Sequence, residues 1–281
     1  MICKELNKEF TNKAEMFQAL KENKQELINV KRSQIQKSCD KGLGVSLKSL
    51  DVTKLGLTTK GILTDDNYYY LAVNTTKILD SHGDLHKDGI WNKTANEQQG
   101  KNYLVTDHKM ELPNVVVKKD KIKMLVAEIP FSSIGKSYEG NTQALIYKFL
   151  KTDVIKGVGG DWLESGDDIE ASVRMQYVKI DLAMNSDAKG DENELKNYLD
   201  NVGDIANKAE LDNLEYFWIV TEAKNIGESS LVLRGSNQAT GTINDNKNIQ
   251  PSNDTDKTEP SNDTQEALKE KAKIEMLKKF I

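Results

Sequence analysis

The chain has 281 residues, 37% hydrophobic and 30% charged, enough apolar material for one sizeable core with appendages or for two small domains. Its net charge of −5 and pI near 5.5 leave no basic footprint for phosphate backbones, which argues against nucleic acid as the partner. No apolar run approaches the roughly 20 residues that cross a bilayer, and the opening MICKELNKEF lacks the basic-then-apolar order of a signal peptide, so a cytoplasmic location without membrane contact is expected.

Residues 5–38 place Leu6, Phe10, Phe17, Leu20, Leu27 and Ile28 at helical intervals among Lys, Glu and Gln, with no Pro or Gly. This spacing predicts one long amphipathic helix, ended by Gly42 and Gly44, as an N-terminal element over 1–42. Cys3 and Cys39 have no CxxC spacing and no neighbouring histidines, so they are incidental thiols on this reading.

From about 58 to 243, β-rich runs follow one another: YYYLAVNTT (68–76), VVVKKDKIKMLVAEIP (115–130), ASVRMQYVKIDLAM (171–184) and EYFWIVTEAK (215–224). TQALIYKFLKTDVI (142–155) and DENELKNYLDNVGDIANKAELD (191–212) repeat apolar residues every three or four positions and predict helices. The expected class is α+β, with a mainly β domain over 43–243, helices on its surface, and Trp91, Phe217 and Trp218 as core anchors. Past Ile243 the chain turns to Asn, Asp, Ser, Thr and Pro, and PSNDT recurs at 251–255 and 260–264, so 244–264 is expected to be a disordered linker. The segment 265–281 carries Leu268, Ile274, Leu277 and Ile281 as the stripe of a short C-terminal helix suited to docking on a partner.

A hydrolase without metal normally needs a histidine as general base, and only His82, His86 and His108 exist. His82, Asp84 and His86 lie in DSHGDLHKDGIW (80–91), where an HxxxH pair on a helix would suit zinc, yet Gly83 and Gly89 favour a turn held by Asp side chains. No metal or cofactor is assigned. His108 follows the apolar run of NYLVTDHKMEL (102–112), which places it at a strand end, where it is either a presented base or a surface histidine. Ser172 opens a β-rich segment after an acidic loop, where a serine is ordinarily just a small polar residue.

Four blocks, however, taken in order, resemble the prohead serine proteases of tailed phages: NTTKILDSHGDLHKDGIWNKT (74–94), YLVTDHKMELP (103–113), EASVRMQYVKIDLAM (170–184) and FWIVTEAKNIGESSLVLRGSNQATGT (217–242). That family is similar in fold to herpesvirus assemblin, which implies a mainly antiparallel β-barrel flanked by helices. The resemblance implies that His108 is the catalytic histidine, Ser172 the nucleophile and Glu228 the acidic third member. Arg174 stands where many members carry glycine, and likeness to assemblin implies an arginine near the oxyanion. The implied activity is that of a serine endopeptidase which cleaves scaffold, major capsid protein and itself, in the host cytoplasm and inside the procapsid, self-associating during assembly. The rival from another class is a catalytically inactive capsid-assembly or scaffold-binding protein that retains the protease fold.

Overall fold

The N-terminal stretch expected as one long helix is broken into four short elements in the computed structural model: paired strands β1 (Ile2–Cys3) and β2 (Lys8–Glu9), then helices α1 (Lys13–Glu22) and α2 (Lys24–Ser33). The structure describes residues 1–38 and 67–233, except 81, 135, 166–169 and 212–213, all within the first of two units, Met1–Asn244 and Asp245–Ile281. The expected linker and C-terminal helix, and Cys39, lie outside the described residues.

The corrections in this stretch have local causes. Asn12 caps α1, its Oδ1 accepting the Glu15 N–H at 2.9 Å while its amide donates to Glu15 Oε1 at 2.9 Å. Asn23 stands at the C-terminus of α1 with φ −99° and ψ 4°, off helical geometry, and its side-chain amide donates to Ala19 O (2.8 Å) beside the ordinary helical bond from its backbone N–H (3.1 Å). The apolar stripe nevertheless survives the break: Met16, Phe17, Leu20, Leu27 and Ile28 are all buried in the main core. A strand, β3 (Ile35–Ser38), then joins the N-terminal segment to the largest sheet.

The remaining elements are β4 (Tyr68–Thr75), β5 (Asp84–His86), α3 (Asn92–Glu97), β6 (Tyr103–Thr106), β7 (Val115–Val117), β8 (Lys123–Pro130), β9 (Asn141–Leu150), α4 (Val158–Ser165), β10 (Glu170–Met184), α5 (Glu192–Asn201) and β11 (Tyr216–Val232). Among the described residues β4, β9 and β8 form a three-stranded antiparallel sheet, and a larger sheet runs β3-β10-β11-β6-β7, with β5 also paired to β11. The α+β class stands, and antiparallel pairs predominate. The sheets do not close into the expected barrel: among the described residues β3 and β7 are open ends of one sheet and β4 and β8 of the other. Closure requires end strands to pair, and here the sheets bury their facing sides against each other instead.

The helix expected over 142–155 is strand β9 followed by a 3-10 turn, Lys151–Asp153. Leu145, Tyr147 and Phe149 enter the main core between the sheets, while Ala144 and Ile146 enter a second core with Tyr70, Ala72, Ile129 and Phe131. A strand buried on both faces is apolar throughout and mimics helical spacing. Burying each large apolar side chain contributes about 1.5–3 kcal/mol, which outweighs propensity differences of roughly 0.7 kcal/mol per residue or less. The helix expected over 191–212 exists as α5 and gives way to 3-10 turns at Val202–Asp204 and Lys208–Glu210. Trp91, Phe217 and Trp218 are fully buried, as expected of anchors, and Trp91 Nε1 donates to Asn74 Oδ1 at 2.7 Å.

The segment around His82 is the loop and strand end that its Asp content predicts. Asp80 Oδ1 accepts the N–H groups of His82 (2.8 Å) and Asp84 (2.9 Å), turning the chain into β5. Asp84 Oδ1 receives Lys31 Nζ at 2.5 Å, its Oδ2 receives Tyr177 Oη at 2.9 Å, and Tyr177 lies 3.3 Å from His86 Nε2. His82 is exposed and meets this buried network only through its carbonyl, which accepts from Lys31 Nζ at 3.5 Å, and among the described residues no group of three His, Cys, Asp or Glu is placed to hold a metal ion.

Candidate active site

Strands β10 and β11 of the larger sheet carry Ser172 and Glu228, and the turn that follows the neighbouring strand β6 carries His108. The β10–β11 register sets Ser172 opposite Ser230, and the parallel β11–β6 register sets Glu228 beside Tyr103 and Leu231 beside Thr106. Side chains two apart on a strand share a face, so Glu228 and Ser230 lie on the face that Ser172 shares.

His108 reaches that face from a tight turn beyond β6. Lys109 N–H donates to Thr106 O at 3.0 Å, and both central residues are left-handed, Asp107 at φ 51° and His108 at φ 55°. This conformation costs roughly 1–2 kcal/mol for a residue with a Cβ, although Asp and His are among the types that tolerate it. Two bonds to β11 hold the turn: Asp107 N–H donates to Leu231 O at 3.0 Å, and His108 N–H donates to Ser230 Oγ at 2.8 Å.

The imidazole so placed bridges the other two residues. Nδ1 lies 2.9 Å and 3.2 Å from the carboxylate oxygens of Glu228, and Nε2 lies 2.7 Å from Ser172 Oγ. An ionised carboxylate only accepts, so the assigned tautomer has the proton on Nδ1 and leaves Nε2 as acceptor for the serine hydroxyl. The His108 side chain is 7% exposed and Glu228 is 0% exposed, so water screens this pair little. Ser172 is itself fully buried.

Glu228 owes its orientation to an irregularity. Between the pairs Val173↔Ser229 and Met175↔Asn225 only Arg174 faces the three residues 226–228 of β11, a bulge that turns at Gly227 with φ +76°. Asn225 closes this bulge: its amide donates to Glu228 O at 2.7 Å and to Arg174 O at 3.1 Å, and its Oδ1 accepts the Tyr147 hydroxyl. Burial, with the Glu228 charge adding to it, pushes the Tyr147 phenol well above its ordinary value and keeps it a donor.

Arg174 is half-buried beside the bulge, its Nη1 4.0 Å from where a Cβ on Gly227 would stand. Among the described residues its guanidinium makes no hydrogen bond to Ser172, His108 or Glu228. The geometry thus joins His108, Ser172 and Glu228 and leaves Arg174 adjacent. Ser230, Asn225, Gly227 and Tyr147 support the site without having been singled out for that role, since their contacts arise only from strand register and from a second sheet. The hydrogen-bonded order carboxylate, imidazole, hydroxyl can draw a proton from the serine oxygen while stabilising the charge that forms on the ring. Comparisons with family models, with curated proteins and with solved structures find no significant match to this chain.

Proposed function

We propose that this chain is a serine endopeptidase with Ser172 as nucleophile, His108 as general base and acid, and Glu228 as the carboxylate that orients the ring. The observation that carries the reading is the continuous contact from Glu228 through Nδ1 (2.9 Å) and Nε2 (2.7 Å) of His108 to Ser172 Oγ. As Oγ attacks a peptide carbonyl carbon, its proton passes to Nε2. The tetrahedral adduct collapses with that proton delivered to the leaving amine, and water then repeats the sequence to free the acyl group. Proton transfer of this kind contributes about 10²–10⁴-fold in rate. Arg174 is the proposed oxyanion stabiliser, through its charge or its backbone N–H.

The resemblance of the four sequence blocks to tailed-phage prohead proteases extends the proposal to capsid maturation: scaffold and major capsid protein as substrates, self-processing, and action inside the procapsid. The likeness to assemblin belongs to it as a likeness of the site-bearing strands and not of a closed barrel. A second reading, an inactive capsid-assembly or scaffold-binding protein, is favoured by one observation, the complete burial of Ser172. Co-expression of wild type or Ser172→Ala with the cognate capsid and scaffold proteins separates the two. Shortened products with wild type alone support the protease, and identical uncleaved masses in both overturn it.

A further inference from the structure

The short strand β3 lies against β10 immediately beyond the nucleophile. Its ladder pairs Ile35 with Gln176, Gln36 with Met175, Lys37 with Arg174 and Ser38 with Val173. The strands are antiparallel, so β3 advances toward Ser172, and its last pair stands one register step from that residue. No strand flanks β3 on its other side among the described residues. Ile35 is 44% exposed, so this pairing draws little from side-chain burial and leans on main-chain hydrogen bonds, which any extended polypeptide can supply. What anchors the strand lies just before it: Lys31 is buried on Asp84, and Gln176 Nε2 donates to Arg32 O at 3.0 Å.

We propose that the β10 edge from Val173 to Gln176 is the docking strand for an extended polypeptide substrate, and that β3 holds it in cis as a tethered occupant which a substrate must displace. The proposal rests on the reading of Ser172 as the nucleophile. A peptide laid antiparallel on this edge passes Arg174 and then Ser172, the order in which β3 itself runs. A tethered strand competes at an effective concentration of about a millimolar, so a free peptide of micromolar intrinsic affinity is held off until β3 yields. Substrates are therefore unfolded segments or tails rather than helical or folded surfaces, and the N-terminal 38 residues restrain the enzyme.

The test uses the full chain carrying Ser172→Ala, which binds without cleaving, and a fluorescein-labelled peptide RSQIQKS, the sequence of residues 32–38. Gln36→Pro removes a backbone donor from the middle of β3, and Ile35→Gly with Lys37→Gly loosens the same strand without proline. Each should bind the peptide at least about tenfold more tightly than the parent, with those amides of Val173–Gln176 that face β3 exchanging faster until peptide restores their protection. Equal affinity across parent and both variants overturns the proposal. In the parent, peptide at millimolar concentration should speed exchange at the amides of Ile35–Ser38, and unchanged exchange there overturns it even where the variants fail to fold. Tighter peptide binding by a chain whose Ser172 form cleaves nothing keeps the docking edge and removes the protease reading.

Discussion

Replacing Glu228 with Gln keeps the shape of the side chain and removes its charge at the point where the charge acts. Both carboxylate oxygens approach His108 Nδ1, at 2.9 Å and 3.2 Å, in a fully buried position, so solvent cannot substitute for the missing anion. A hydrogen bond to a charged group contributes about 1.5–3 kcal/mol, and each ~1.4 kcal/mol is tenfold in rate, so reaction at Ser172 should slow roughly ten- to hundredfold. The rate of labelling by a fluorophosphonate measures this directly, because it reports activation of the hydroxyl and needs no peptide substrate. Wild type should label at Ser172, Glu228→Gln more slowly by that factor, and Ser172→Ala not at all, with thermal melting confirming that both variants are folded. Labelling of Glu228→Gln at the wild-type rate, or modification mapped to a residue other than Ser172, would refute the assigned chain of contacts.

Three further outcomes follow from contacts around the site and its supports. Ser230→Ala leaves the part-buried His108 N–H without its acceptor in a strained turn, so urea unfolding should show a loss of about 1–3 kcal/mol, together with slower labelling. Lys31→Met strands the Asp84 carboxylate, 1% exposed, and should cost about 3–5 kcal/mol, part of which Asp84→Asn in the same chain should restore. Burial alone would raise the Asp191 carboxyl, but the Lys21 ammonium and the Ser186 hydroxyl bring it below its ordinary value. A depressed folded value means stability present above the unfolded value, about 3.9, and lost as pH falls through the folded one. The urea-measured gap between wild type and Asp191→Asn should hold from neutral pH to about 5 and close below about 4; a gap that widens in acid contradicts the assignment.

Much of the secondary structure was legible because it depends on local pattern. The β-rich runs at 68–76, 115–130, 171–184 and 215–224 all contain strands, and the Asp-bearing loop before His86 formed as its composition predicts. The failures share a physical cause. A departure from helical backbone angles at Asn23, whose side-chain amide turns back to Ala19 O, divided a helix whose apolar stripe was unbroken, and two cores on opposite faces of β9 produced a spacing that imitates a helix. Barrel closure was illegible from the residues, since it is a property of which end strands meet.

For the site, the sequence by itself determined a small set of candidates: three histidines, one at the end of an apolar strand, and a serine at the head of another, singled out together with Glu228 by a family resemblance. Only the tertiary structure decided that these residues touch. His108 and Ser172 are 64 residues apart in the chain and His108 and Glu228 are 120 apart, so their contact depends on β10, β11 and β6 lying side by side in one register. A one-residue slip of β11 would carry Glu228 and Ser230 to the opposite face, because side chains alternate along a strand. Asn225 and Gly227 set the bulge that brings Glu228 to this face, and Ser230 holds the left-handed turn that brings His108 over it. None of the three carries a local signal, since each acts through a backbone group that folding alone brings within reach.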